Sequence, residues 1–339
     1  MKPRSLLLCL SVGMLACGSV DAGQGVDAQT GGAADGAAGP DGPAGVSIDA
    51  TPGAAPTIVS IEPADGAVGV RTSADVVITF SEPMDPVSTV EAWVSVDLPR
   101  SGLAFSWNAE GTVLTVDPVA PLVLAEGTGL DPSTVPRQTY AFTLDTTARS
   151  AAGVDLAAPV TSSFATSRRL VVDAVPVAAL TRSMRGDGVV FAEAAVTMLV
   201  GDTVANLQVK TFATFTLPVL PAGAVIERGT LRATQGSVVA APYAGGPMRT
   251  LHTAASVIDA TAFTATPLAV LGDLSTDATL GVKSRDVTAA VRDDLTNRVA
   301  RGGRSQYRLE FAAVSSDGSA DEARFSRSSL GLELAYLVD

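Results

Sequence analysis

Few side chains here could do acid–base, metal or nucleophilic chemistry, and they are scattered. The 339 residues hold one histidine, His252, and two cysteines, Cys9 and Cys17. Histidine serves as a base or metal ligand near neutral pH, but a lone one makes no His-rich metal centre. No cysteine follows Cys17 to build a Cys/His zinc set. Asp293-Asp294 and Asp321-Glu322 are adjacent carboxylate pairs. A glycosidase needs two carboxyls facing one cleft, and sequence neighbours on a helix or loop are expected to be solvated. Asp65, Glu82 and Asp85 carry hard oxygens of the kind calcium takes, but without a dense Asp-x-Asp-x-Asp run they read as turn residues. Gly-x-Ser-x-Gly, P-loop, His-Glu-x-x-His and dinucleotide fingerprints are all missing from the sequence. The expectation is a non-enzymatic protein with no cofactor and no resident metal.

Binding chemistry offers one candidate cluster. Tyr243 lies in the loop Ala241-Pro242-Tyr243-Ala244-Gly245-Gly246-Pro247, with Arg249 and His252 close behind. Sugar stacking asks for an exposed aromatic face with polar handles, so these three are the candidate ligand residues. The alternative is a tyrosine folded over the base of its own loop. Trp107 shares a face with Leu103 and Phe105 and is expected in a core. Arg185-Gly186-Asp187 spells an integrin-type tripeptide, weak evidence at three residues. Acidic residues outnumber basic ones 35 to 23, a net charge of −12, which disfavours nucleic acid as partner because phosphate contacts need clustered basic charge.

The N-terminus gives the address. Lys2 and Arg4 precede a short apolar run from Leu6 to Leu15, too short to span a membrane but suited to a secretory signal. Met14-Leu15-Ala16-Cys17 resembles the lipobox of bacterial lipoproteins, departing from it in Met14 and Leu15. That resemblance implies a signal peptide over 1–16, diacylation of Cys17, and a partner in the membrane itself. Gly18 and Ser19 with no Asp behind the cysteine point to the cell outer membrane, facing periplasm or surface. An ordinary signal peptide cut after Ala22 is the alternative. Residues 17–55 are rich in Ala, Gly, Asp and Pro, lack aromatics and hydrophobic periodicity, and read as a disordered, extended spacer.

Period-two patterns begin beyond the spacer. Val76/Ile78/Phe80, Leu103/Phe105/Trp107 and Tyr140/Phe142/Leu144 alternate with small or polar residues between turn signals, and no stretch of this region has strong helical periodicity. Further strands read at Leu199–Asp202, Thr211–Leu217, Leu231–Ala233, Tyr307–Phe311 and Leu330–Val338, with a linking strand at Val171–Val177. One amphipathic helix stands among them, capped by Asp286, with Val287, Val291, Leu295 and Val299 on one stripe. The fold class is all-β: two β-sandwich domains, the second with one short helix, after the N-terminal spacer.

Two resemblances refine this. Pro56 to Val70, Ile78-Thr79-Phe80-Ser81-Glu82-Pro83-Met84-Asp85, Ala152-Gly153-Val154-Asp155-Leu156 and Ser163-Phe164-Ala165-Thr166 resemble, in order, segments of the bacterial Ig-like domain of surface-layer-protein type. The likeness covers about 56–168 and implies a spacer or adhesive module. It departs at Val123 to Arg137, where the family has a shorter turn. After a junction at 169–181, Val200 to Arg232, Arg285 to Val291 and Phe325-Ser326-Arg327 resemble DNRLRE-type domains, jelly-roll sandwiches related to carbohydrate-binding modules, over 182–339. Together they imply a non-catalytic cell-envelope lipoprotein displaying a structural or adhesive module. The alternatives are a carbohydrate-binding protein for polysaccharide capture and, less favoured, a hydrolase or its accessory. Expected partners beyond the membrane are a polysaccharide or another envelope protein.

Overall fold

Alternating β-branched, aromatic and small residues make strands because one face of each can be buried while the other meets water. The computed structural model describes residues 53–192 and 195–339, all within one compact unit, Pro52–Asp339. The signal segment, Cys17 and the spacer as far as residue 52 lie outside the described residues. The fold is all-β.

The first part of the chain forms β1 (Ile58–Glu62), β2 (Ala67–Val70), β3 (Val76–Phe80), β4 (Trp93–Val94), β5 (Leu103–Trp107), β6 (Val113–Pro118), β7 (Ala125–Thr128), β8 (Thr139–Leu144) and β9 (Val160–Thr166). Two four-stranded sheets, β1-β3-β6-β5 and β2-β9-β8-β4, form the layers of a sandwich. Val76, Ile78, Phe80, Leu114 and Val116 from one sheet meet Tyr140, Phe142, Leu144 and Phe164 from the other in a single core. Trp93 stacks on Phe142 with ring centroids 4.3 Å apart, and its indole N–H donates to the Leu98 carbonyl at 3.0 Å. Trp107 is half-buried and stacks on Phe80, as its inward-facing pattern predicts. The expectation of no helix here fails at α1 (Pro86–Glu91), whose N-cap Asp85 accepts from the Ser88 N–H at 2.9 Å. At six residues α1 is too short for a 3.6-residue hydrophobic period to register.

The rest forms β10 (Arg168–Pro176), β11 (Arg182–Arg185), β12 (Thr197–Asp202), β13 (Gln208–Thr216), β14 (Val225–Val239), β15 (Met248–Thr253), β16 (Ala269–Ser275), β17 (Gly281–Asp286), β18 (Arg304–Phe311), β19 (Asp321–Ser326) and β20 (Gly331–Val338). They join one large sheet in the order β16-β15-β18-β13-β12-β19-β14-β20-β10-β7, with β11 on β13 and β17 on β14. Val175 and Pro176 of β10 also pair with Thr216 and Phe215 of β13, so the sheet folds over and closes on itself. Its core is built from Phe215, Leu231, Tyr307, Leu309, Phe325, Leu332, Leu334 and Tyr336.

Helix α2 (Ala260–Thr264) is capped by Asp259, and α3 (Thr288–Thr296) follows β17. The N-cap of α3 is Val287, without a side-chain cap, so the expected cap at Asp286 is a correction: Asp286 stands one residue earlier and accepts from the Thr288 N–H at 2.8 Å. Val287, Ala290 and Val291 enter the core and Leu295 is partly buried against it. Val299 is a correction to the expected stripe: the helix ends at Thr296, and Val299 is 96% exposed in the turn that follows.

Two details hold the parts together. Residues 123–137, longer than the resembling family's turn, reach out as β7, which pairs in parallel with β10 from Arg168↔Ala125 to Val171↔Thr128, and Val135 joins the second core. The stretch 169–181, read above as a junction, is largely β10, paired on its other side with β20. Gly201 lets β12 and β19 close up: a Cβ there would lie 1.8 Å from the Asp321 carbonyl oxygen, and its φ of +146° lies where L-residues are strained.

Candidate functional site

Tyr243, Arg249 and His252 each engage a different set of partners. Tyr243 sits in the short 3-10 turn Pro242–Gly245, packs edge-on against Phe311 at 5.1 Å, donates its hydroxyl to the Gln235 side-chain carbonyl, and lies 2.9 Å from Ser275 Oγ. Burial pushes its phenol pKa up. Arg249 and His252 lie three apart on β15, and strand alternation places them on opposite faces. Arg249 pairs with Glu310 at 3.1 Å, beside Lys210, which reaches the same carboxylate at 2.9 Å. Burial lowers the Lys210 pKa.

His252 is buried and reaches α3. Its Nε2 lies 2.9 Å from Asp294 Oδ1, and its ring is tilted over Tyr307 at 6.2 Å. Asp294 is fully buried, contrary to the solvated pair expected; its neighbour Asp293 is half exposed. Three and seven residues after Val291 and Val287, Asp294 falls on the apolar face of α3, a sign the sequence does carry. The ligand atoms of His252, Asp293 and Asp294 lie within 4.8 Å of one another, close enough for a metal. Arg301 already fills that position, with Nη2 2.5 Å from Asp293 Oδ2 and Nη1 on Asp294. Burial works against the Arg301 charge, but its hydrogen bonds to both aspartates outweigh that and raise its pKa. The cluster is an internal ion network tying β15 to α3, not an exposed general base.

In the other acidic pair both members are buried. Asp321 and Glu322 are 5% and 7% exposed, because β19 lies between β12 and β14 within the sheet. Glu322 pairs with Arg324 at 2.7 Å. Asp321 stands directly across the ladder from Asp202, the last residue of β12. These two, with Ser315 and Asp317 of the 312–320 loop, line a cleft of about 300 Å³. Asp321 accepts from the Ala241 N–H at 2.7 Å at the base of the Tyr243 turn. The cleft therefore abuts the loop that carries the candidate tyrosine. Asp65, by contrast, accepts from the Ser163 N–H at 2.8 Å and Asp85 caps α1, both local roles.

None of the aromatic side chains in the chain is exposed; Phe105, Trp107, Phe191 and Tyr243 are half-buried and the others buried. Among the described residues, the exposed large apolar side chains are all Val and Leu. In Arg185-Gly186-Asp187 the arginine and aspartate bind each other through Nε–Oδ1 at 2.9 Å and Nη2–Oδ2 at 2.5 Å, so neither charge is held out toward a partner.

The bacterial Ig-like domain family model matches residues 53–166, against the 56–168 read from sequence. Over that segment the chain is similar to bacterial Ig-like domains. No curated protein matches the chain in sequence. Among solved structures, an L,D-transpeptidase from Mycobacterium smegmatis is 15% identical, covering 66% of this chain and 76% of its own, at a TM-score of 0.23. The alpha-2-macroglobulin of Escherichia coli is 12% identical, covering 54% of this chain and 45% of that one, at 0.23. The N-terminal part of the bacterial S-layer protein SbsC is 15% identical, covering 50% and 42%, at 0.22. The chain spans less than half the length of the latter two, and at those TM-scores none carries an argument about function.

Proposed function

We propose that this chain is a cell-envelope display protein: an acyl anchor at Cys17, an extended spacer, the Ig-like domain, and a C-terminal β-sandwich that presents a surface without catalysing a reaction. The observation that carries the reading is the Ig-like family match at residues 53–166, preceded in sequence by a signal-like segment and an Ala/Gly/Asp/Pro-rich stretch without aromatics. The side chains of the C-terminal sandwich agree with it. Its histidine is 2% exposed and bonded to a buried aspartate, so a solvent-borne substrate has no path to it. The burial of the aromatics counts against a stacking platform for sugars, and favours a protein or ionic contact over polysaccharide capture. The proposed location is the outer membrane, on its periplasmic or outer face.

Metabolic labelling with a fatty acid, followed by membrane fractionation, tests the anchor. Wild type is expected to carry the label and sediment with membranes, and Cys17→Ser to lose both. Membrane association unchanged in Cys17→Ser would remove the anchor. Glycan-array binding abolished by Tyr243→Ala would restore the carbohydrate reading.

A further inference from the structure

An edge strand offers its outward N–H and C=O groups to any chain that can pair with them, and folded proteins blunt such edges with charges, proline, bulges or brevity. Among the described residues every sheet edge but one is blunted in this way. β1, β2 and β16 break register against their neighbours, β4 has two residues, and β7, β11 and β17 carry charged side chains. The exception is β5, Leu103-Ala104-Phe105-Ser106-Trp107, at the end of the sheet β1-β3-β6-β5. It is uncharged, lacks proline, and pairs with β6 without a shift from Leu103↔Pro118 to Trp107↔Leu114.

The register fixes which backbone groups stand free. Val119 N–H donates to the Gly102 carbonyl at 3.0 Å, and Asn108 N–H to the Val113 carbonyl at 3.1 Å. The even-numbered residues between them therefore face β6, while Leu103, Phe105 and Trp107 turn their backbone groups outward. Of these, Leu103 N–H is taken by the Arg100 carbonyl. The side chains of all three point into the sandwich yet stay half-buried. Two of the four half-buried aromatics therefore sit on this one edge. Exposed Arg100 stands beyond one end of the strand and exposed Glu110 beyond the other, each five residues from Phe105.

We propose that β5 is a self-association edge, pairing antiparallel with β5 of a second copy of this chain about a two-fold axis at Phe105. A two-fold contact needs a self-complementary patch, and this strand is one. Phe105 exchanges two backbone hydrogen bonds with Phe105 of the other copy, and Trp107 N–H reaches the Leu103 carbonyl, twice by symmetry. Phe105 then lies beside its own copy and Trp107 beside Leu103. This covers the flanks that one sandwich leaves half-buried and joins the two four-stranded sheets into a continuous one. The same register brings Arg100 of each copy to the end that carries Glu110 of the other. That charge match selects a second copy over an unrelated strand, and the uncharged residues between let two chains of net charge −12 approach here. Five residues a side make a small interface, so the association is weak and reversible. It needs neither the acyl anchor nor the display role.

The test is sedimentation velocity of the full chain up to about 0.5 mM, because so small an interface associates only at high concentration. It is run under reducing conditions with Cys17→Ser, so that neither an acyl chain nor a disulfide links the copies. A monomer–dimer equilibrium is expected. Arg100→Glu and Glu110→Arg should each weaken it by about fivefold or more, and the two together should restore it. Ala104→Lys with Ser106→Lys charges the exposed face of the strand, clear of the core, and should leave a monomer with an unchanged thermal midpoint. A monomer at every concentration overturns the proposal. So does a dimer that survives the two lysines, one indifferent to the single charge exchanges, or one that the double exchange fails to restore.

Discussion

The hydroxyl of Tyr336 donates to the carbonyl oxygen of Gly129 across 2.9 Å, joining residues 207 apart in sequence. Tyr336 belongs to the last strand and the second core; Gly129 belongs to the long excursion of the Ig-like domain. Arg168 works beside them, donating to the Pro132 carbonyl at 2.7 Å and to that of Asp339. The two sandwiches share a sheet through β7 and β10 and do not merely follow one another.

Tyr336→Phe should lower stability by about 1 kcal/mol, the usual net worth of one buried hydrogen bond, read as a shift in urea midpoint at constant m. Replacing residues 124–137 with a short turn should do more. Calorimetry is expected to show one cooperative transition for wild type and two for the shortened chain. A single transition in both would mean the excursion does not couple the sandwiches.

Asp294 and Asp293 should behave unlike each other. Asp294→Ala leaves His252 and Arg301 facing an emptied buried position, and removing one partner of such a network costs about 3–5 kcal/mol. Asp293 is 47% exposed at its side chain, so Asp293→Ala should cost less than about 1 kcal/mol. Chemical denaturation of both variants checks the contrast.

Acid should loosen the start of α3 in a defined direction. Hydrogen bonds from Thr288, then the nearby Arg285 and Arg228, hold the Asp286 carboxyl below its ordinary value of 3.8. The unfolded chain therefore takes up this proton more readily than the folded one. The contribution is whole above about pH 5, and is lost as pH falls through the lowered value. Asp286→Asn keeps an acceptor for Thr288 but has nothing to titrate, so its stability should fall less steeply between about pH 5 and pH 2.

Gly201→Ala should be among the most damaging single changes. Its added Cβ meets backbone, not a movable side chain, and its φ is unsuited to alanine. A loss of about 3 kcal/mol or more is expected from overpacking and strain together. The β12–β19 pairing should open with it, which amide exchange at Asp202 and Asp321 would report.

Strands with strict alternation were plain from the residues alone: Val76/Ile78/Phe80 and Leu332/Leu334/Tyr336 fall where their pattern places them. The start of α3 was legible too, but its cap falls at Val287, one residue after Asp286. What escaped the sequence depends on partners distant in the chain. The burial of Asp321 and Glu322 follows from β19 lying between β12 and β14, and no local pattern announces a strand's neighbours. The opposition of Asp202 and Asp321 is a matter of register across 119 residues. Asp294 could have been placed, since its spacing from Val287 and Val291 points it inward. Val299 went the other way because a four-residue spacing continues on paper after the helix has stopped.

The pairing of β10 with β20 also sets how the molecule bears load. A pull that enters β10 at Arg168 and leaves through the Leu332 end of β20 is resisted together by seven residue pairs, Arg168↔Val338 to Ala174↔Leu332. Loaded that way the ladder is in shear; a pull on Val338 instead would open it pair by pair, because the antiparallel strands place Val338 opposite Arg168. With β7 gripping the opposite edge of β10, a tethered copy held by its far end would transmit tension between its two sandwiches without a hinge to absorb it.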